Sequence, residues 1–173
     1  MSTTHSALER LSALDVSNLR VEGHGQPMNV AALAILEGAP LLDASGELAL
    51  EAIRARIEHR LHRAPRLRQK LYAPGFGFGP PVWVDDASFD ISRHVRTRTV
   101  PARCDEEALL TVCAELNEQP IDRARPLWEI WFLTGQLDGD VAMLIRFHHV
   151  LADGMAALAL LGALFGRYCS FRG

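Results

Sequence analysis

The chain has 173 residues, 49% of them apolar, and a formal net charge of −3, which suits one globular domain with an ordinary core. That charge gives no overall attraction for nucleic acid, so no nucleic-acid partner is expected, and the cations are almost all arginine, with Lys70 the sole lysine. The cysteines Cys104, Cys113 and Cys169 form no CxxC pair and no secretory leader precedes them, which argues against a disulfide or zinc framework and for a reduced, cytoplasmic setting.

Periodicity alternates between strand-like and helix-like stretches, so the fold class is α/β in the mixed α+β sense. The apolar run over 28–36, closed by Gly38 and Pro40, predicts a strand buried on both faces. Leu50, Ile53, Ile57 and Leu61 then mark one helix face, with Glu51, Arg54, Glu58 and Arg60 elsewhere, until Pro65. The glycines and prolines of 73–81 predict a turn rather than a phosphate loop, since no lysine or helix start follows them. Short strands are predicted at 82–85 and 94–100.

Asp105, Glu106 and Glu107 suit the positive end of a helix dipole, and Leu109, Val112, Cys113 and Leu116 make its apolar stripe up to Pro120. Two strands follow, over 126–135 and 141–149, joined by a hairpin turn at Asp138-Gly139. A last helix is predicted from Gly154; its clean apolar run, 155–165, is too short to span a bilayer, which needs about 20 residues.

The segment HHVLADG, 148–154, carries the chemistry. Adjacent strand residues point to opposite faces, so His148 and His149 cannot share one cavity while the strand stays regular. His149 falls where the strand ends and a loop opens, with Asp153 four residues on, which is a general-base arrangement with a supporting carboxylate. Imidazole suits proton removal because its ordinary pKa of about 6.5 leaves it neutral yet basic near pH 7. Read from the residues alone, core or surface packing of the histidines, an N-cap for Asp153 and a plain turn at Gly154 stay open. No HExxH pair or third histidine at ligand spacing accompanies them, so no metal site is expected.

HHVLADG matches the HHxxxDG signature of CoA-dependent acyltransferases. With LSALD (11–15), PMNVAAL (27–33), RAPRLRQKL (63–71), PVWVDDASFDISRHVR (81–96) and RPLWEIWFLTG (125–135), the chain resembles the bacterial wax ester synthase/diacylglycerol acyltransferase family over about residues 6–166. The resemblance implies a chloramphenicol-acetyltransferase-like domain, a mixed sheet flanked by helices, forming the N-terminal half of a two-domain enzyme.

By the same resemblance His149 is the base that takes the acceptor hydroxyl proton, Asp153 orients the loop through an arginine, Gly154 admits the pantetheine tunnel, and His148 packs away from substrate. Pro126, Leu127 and Trp128 of PLWE carry over as a structural or acyl-pocket motif. The substrates implied are long-chain acyl-CoA and either diacylglycerol or a fatty alcohol, with no bound cofactor. Asn29 stands where the family more often has histidine.

The arginine-rich stretch Arg54 to Lys70, opposed only by Glu58, fits a solvated helix face, CoA phosphates or a peripheral lipid surface. The tail 167–173 is unlike the helix before it, which suggests a truncated or frameshifted reading frame, or a half completed by a separate partner or by self-association. The alternatives are a non-catalytic lipid-binding or interaction module and a condensation-type acyltransferase domain.

Overall fold

A computed structural model describes residues 9–22, 27–75, 77–100, 105–137 and 139–151. Its centre is a four-stranded mixed sheet ordered β1-β6-β5-β4. β1 (Asn29–Glu37), β6 (Asp140–His148) and β5 (Trp128–Leu137) run antiparallel to their neighbours, and β4 (Val95–Thr99) adds parallel to β5. A separate antiparallel hairpin pairs β2 (Gln69–Tyr72) with β3 (Val82–Asp85).

The pleat sorts the central strands into two cores. Ile130, Phe132, Val141, Met143, Ile145 and Phe147 face one way, onto Ile57 of helix α2 (Leu50–Arg60), Leu61, Leu67 and Trp83. Trp131, Leu133, Ala142 and Leu144 face the other way, onto Leu109, Val112, Cys113 and Leu116 of helix α3 (Glu106–Glu118). Helix α1 (Ala13–Glu22) buries no residue fully and lends Val16 and Leu19 to the first core.

The apolar run over 28–36 forms β1, but at a sheet edge, where Ala31, Ile35 and Glu37 are exposed. The strand buried on both faces is β6, all of it after Asp140. An apolar run fixes strand character but not the position in the sheet, and apolar Ala31 and Ile35 on the open side of β1 read like core residues. The 50–61 stripe forms α2 and continues as a 3₁₀ turn at Leu61–Arg63, with a second at Pro65–Arg68. Asp105 caps α3 by accepting from the Ala108 N–H at 2.9 Å, and Gly139 takes φ +93° in the β5–β6 turn. The helix predicted from Gly154 lies outside the described residues.

Candidate active site

β6 ends at His148, and His149 opens a turn through Leu151. The turn is tied at three points. His149 N–H donates to the Met28 carbonyl at 2.7 Å, Leu151 N–H to the His148 carbonyl at 2.9 Å, and His148 N–H to the Leu127 carbonyl at 3.0 Å.

The adjacent histidines have separate environments. His148 is wholly buried, while His149 is exposed. His148 Nδ1 lies 3.1 Å from the Val150 N–H and must accept from it, so the neutral ring carries its proton on Nε2, which donates to Glu22 Oε2 at 3.1 Å. Burial holds the His148 pKa below its ordinary value, although the Glu22 carboxylate pulls it upward.

Glu22, at the end of α1, also receives Arg123 through Nε at 2.8 Å and through Nη2. Burial alone would raise the Glu22 pKa; the Arg123 hydrogen bond and the neighbouring positive charges outweigh it and leave a net lowering. Its second oxygen, Oε1, has no hydrogen-bond partner among the described residues.

Behind the turn, Arg146 is buried and fans out to three acceptors. Nε and Nη2 donate to Glu129 Oε2 at 3.0 and 2.8 Å, while Nη1 donates to the Gln119 carbonyl at 2.6 Å and to the Leu116 carbonyl. Asn29, which faces His148 across the β1–β6 register, donates to the carbonyls of Asn117 and Gln119 at 2.8 and 2.9 Å. These two side chains add donors to carbonyls at the C-terminal end of α3, of which, among the described residues, only that of Leu116 also accepts the capping Gln119 N–H, at 3.3 Å, and Arg146 sets a positive charge at the negative end of that helix.

Pro126, Leu127 and Trp128 are core residues. Trp128 Nε1 donates to the Leu67 carbonyl at 2.8 Å, and its ring stacks on His94 at 4.6 Å. His94 Nδ1 donates in turn to the Trp128 carbonyl at 2.8 Å. Glu129, last residue of PLWE, anchors Arg146 and accepts from Trp131 Nε1 at 2.9 Å.

The geometry thus brings His148, His149 and the PLWE strand together. Asp153 and Gly154 lie outside the described residues. Sequence reasoning missed Glu22, Arg123, Arg146 and Glu129, and gave Asn29 little weight. A charged residue inside an otherwise apolar strand, as at Arg146, was the available signal, because such a group must be paired. Among the described residues no group of three or more metal-ligating side chains gathers. A concavity of about 790 Å³ between the end of β4 and α3, lined by Arg98, Asp105, Glu107 and Glu115 among others, includes no residue of the histidine turn.

The wax ester synthase/diacylglycerol acyltransferase catalytic domain matches residues 11–167. The chain belongs to this family. It is 37% identical over 151 residues to the probable diacylglycerol O-acyltransferase tgs3 of Mycobacterium tuberculosis, covering 87% of this chain and 54% of that protein. With the probable diacylglycerol O-acyltransferase tgs1 of the same species it shares 37% identity over 91% of its own length and 33% of the relative.

In structure it is similar to the wax ester synthase/diacylglycerol acyltransferase of Marinobacter aquaeolei VT8, with TM-score 0.68, 26% identity, and coverage of 87% of this chain and 35% of that one. The starter condensation domain of rhizomide synthetase matches at TM-score 0.68 and 17% identity, over 92% of this chain and 36% of that one, which shows a shared fold. The chain therefore spans between about a third and about half of these relatives. The mixed α/β fold expected from the sequence and the acyltransferase family resemblance both hold.

Proposed function

We propose that this chain carries the base of an acyl-CoA-dependent O-acyltransferase that makes triacylglycerol or wax ester, working with a second half like that of its longer relatives. The supporting observation is the division of labour between the histidines. The His148 ring nitrogens serve Val150 and Glu22, whereas the His149 ring is exposed at the strand end on a backbone tied to Met28.

In this reading His149 takes the proton of the acceptor hydroxyl as its oxygen attacks the thioester carbonyl. The tetrahedral oxyanion collapses, the carbon–sulfur bond breaks, and the departing CoA thiolate receives the proton from His149. The donor is long-chain acyl-CoA and the acceptor is diacylglycerol or a fatty alcohol. Asp153 and Gly154 shape the loop beyond the turn, and Leu127 and Trp128 act as support behind it. The second half supplies the opposite wall, either as further sequence, a separate chain or a second copy, and the setting is cytoplasmic, peripheral to membrane or lipid droplet.

The test is acyl transfer from labelled palmitoyl-CoA to dioleoylglycerol and to hexadecanol, with the chain alone and with the C-terminal half of a relative supplied. Turnover that needs the added half and disappears in His149→Ala supports the proposal. Turnover unchanged in His149→Ala overturns the assignment of the base. Intact mass of the native product in its source cell separates a single longer chain from a stand-alone half.

A further inference from the structure

We propose that the β2–β3 hairpin and the arginines beside it form a docking site for a lipid surface with anionic headgroups. This deepens the peripheral lipid setting proposed above and rests on that reading, assigning the contact to a part of the molecule that does not include the histidine turn.

The first observation is the hairpin connection. Residues 72–81 read Tyr-Ala-Pro-Gly-Phe-Gly-Phe-Gly-Pro-Pro, ten residues without a charge. Surface connections are normally polar. Here Phe78 is 78% exposed and Tyr72 is 58% exposed. Gly77 and Gly79 take positive φ of 88° and 100°, and Phe78 N–H donates to the Gly75 carbonyl at 3.1 Å, so a tight turn holds Phe78 outward. The pleat places Tyr72 with Lys70 on the hairpin face opposite Leu71 and Trp83, the pair that packs on the core. Tyrosine favours the headgroup layer of a bilayer, and phenylalanine anchors interfacial segments by its apolar ring.

The second observation is charge. Arg54, Arg56, Arg60, Arg63, Arg66, Arg68 and Lys70 are opposed within that stretch only by Glu58, in a chain whose net charge is −3. The stretch leads directly into the hairpin. The Arg66 guanidinium lies 4.5 Å from the Trp83 ring centroid, and the Arg10 backbone forms a β-bridge to Val82. Arg10 Nη1 lies 3.8 Å from where a Cβ on Gly79 would stand.

Some of this charge is met locally. Glu9 pairs with Arg66, and buried Asp86 with Lys70 at 2.9 Å. Asp85 is exposed and accepts from Gln69 at 3.0 Å. Arg10, Arg63 and Arg68 have no carboxylate partner among the described residues. An uncharged aromatic tip with Arg10 beside Gly79, on a hairpin entered from an arginine-rich stretch, is complementary to an anionic interface, where apolar insertion and headgroup attraction add. A second protein copy would bring the same cations against themselves.

The experiment is flotation of the native-length protein with vesicles of phosphatidylcholine, with and without phosphatidylglycerol, at low and high salt. Binding should require phosphatidylglycerol and weaken with salt. Phe78→Asp should weaken it by roughly tenfold or more, as loss of one buried aromatic predicts. Arg63→Glu should weaken it several-fold, and Leu110→Ser, an exposed apolar residue on α3, should leave it unchanged.

Circular dichroism confirms that each variant is folded. Absent binding, equal binding by Phe78→Asp, or release of the wild type by free coenzyme A at matched ionic strength would each overturn the docking site. An effect of Phe78→Asp on oligomeric mass instead of flotation would reassign the surface to self-association. None of these outcomes bears on the base assigned to His149, which the acyl-transfer assay reads separately.

Discussion

At the scale of single residues, two adjacent histidines are separated by what their ring nitrogens must do. His148 is committed at both nitrogens, so its removal strips an acceptor from the Val150 N–H and a donor from Glu22. His148→Ala should therefore destabilise the fold by about 2–4 kcal/mol in urea unfolding. His149→Ala should leave that midpoint nearly unchanged and lower turnover by about 10²–10⁴-fold in an assembly competent for acyl transfer. An exchange of these two outcomes would mean that the rings have been assigned to the wrong sides of the turn. Glu22 accepts the Nε2 proton that the Val150 contact leaves on His148. Glu22→Gln keeps an acceptor for Nε2–H but loses the charge that Arg123 meets, so a loss of about 1–3 kcal/mol is expected, with less effect in an Arg123→Ala background.

At the scale of elements, the C-terminal end of α3 is held by side chains from strands rather than by a glycine cap. Arg146→Leu would leave the Glu129 carboxylate without its main cation and take one donor each from the Leu116 and Gln119 carbonyls, which keep the Gln119 N–H and Asn29 respectively. A loss of about 3–5 kcal/mol is expected by chemical denaturation, and Arg146→Lys should recover only part of it, because one ammonium cannot make the forked contact. The β5 strand makes a second demand. Gly135 adopts φ +122°, and a Cβ there would lie 2.9 Å from the Val100 carbonyl oxygen. Gly135→Ala should lower the melting temperature by an amount equivalent to about 1–3 kcal/mol.

These elements also show what was legible in the sequence. The stripes of α2 and α3, the Asp105 cap, the turn at Gly139 and the strand end at the histidines each follow from local patterning, which a sequence displays directly. Helix α1 carries little amphipathic signal and buries no residue fully, so periodicity missed it, although Ser12 and Asp15 form the capping contact that marks its start. The edge position of β1, the pairing of β2 with β3 and the Glu22–His148 contact join residues far apart in the chain. Pattern alone carries no register for such contacts.

At the scale of the whole molecule, the buried titratable groups set how stability responds to acid. Burial lowers the pKa of His148 and of His94, the latter stacked between Phe89 at 5.1 Å and Trp128 at 4.6 Å. A histidine lowered on folding binds fewer protons in the native state than in the unfolded chain. Its contribution is complete above the unfolded value of about 6.5 and is lost as pH falls from there toward the folded value. Glu22 and Asp86 act in a separate window. Burial raises each, but Arg123 and His148 on Glu22, and Lys70 with Ser88 on Asp86, produce net lowering. Their stabilisation holds above about pH 4 and disappears below it, as the folded carboxylates take up protons.

The melting temperature should accordingly fall in two stages, one starting near pH 6.5 and one below about pH 4. Protonation of His148 adds a hydrogen at Nδ1, where the Val150 N–H already donates, so the first stage should also loosen the turn that carries His149. Thermal unfolding followed between about pH 8 and pH 5 checks this, with His94→Gln as the informative variant. Its amide N–H can still meet the Trp128 carbonyl but does not titrate, so the first fall should shrink while the second remains. A melting temperature that is flat between pH 7 and pH 5 would show that neither histidine is held neutral by the fold.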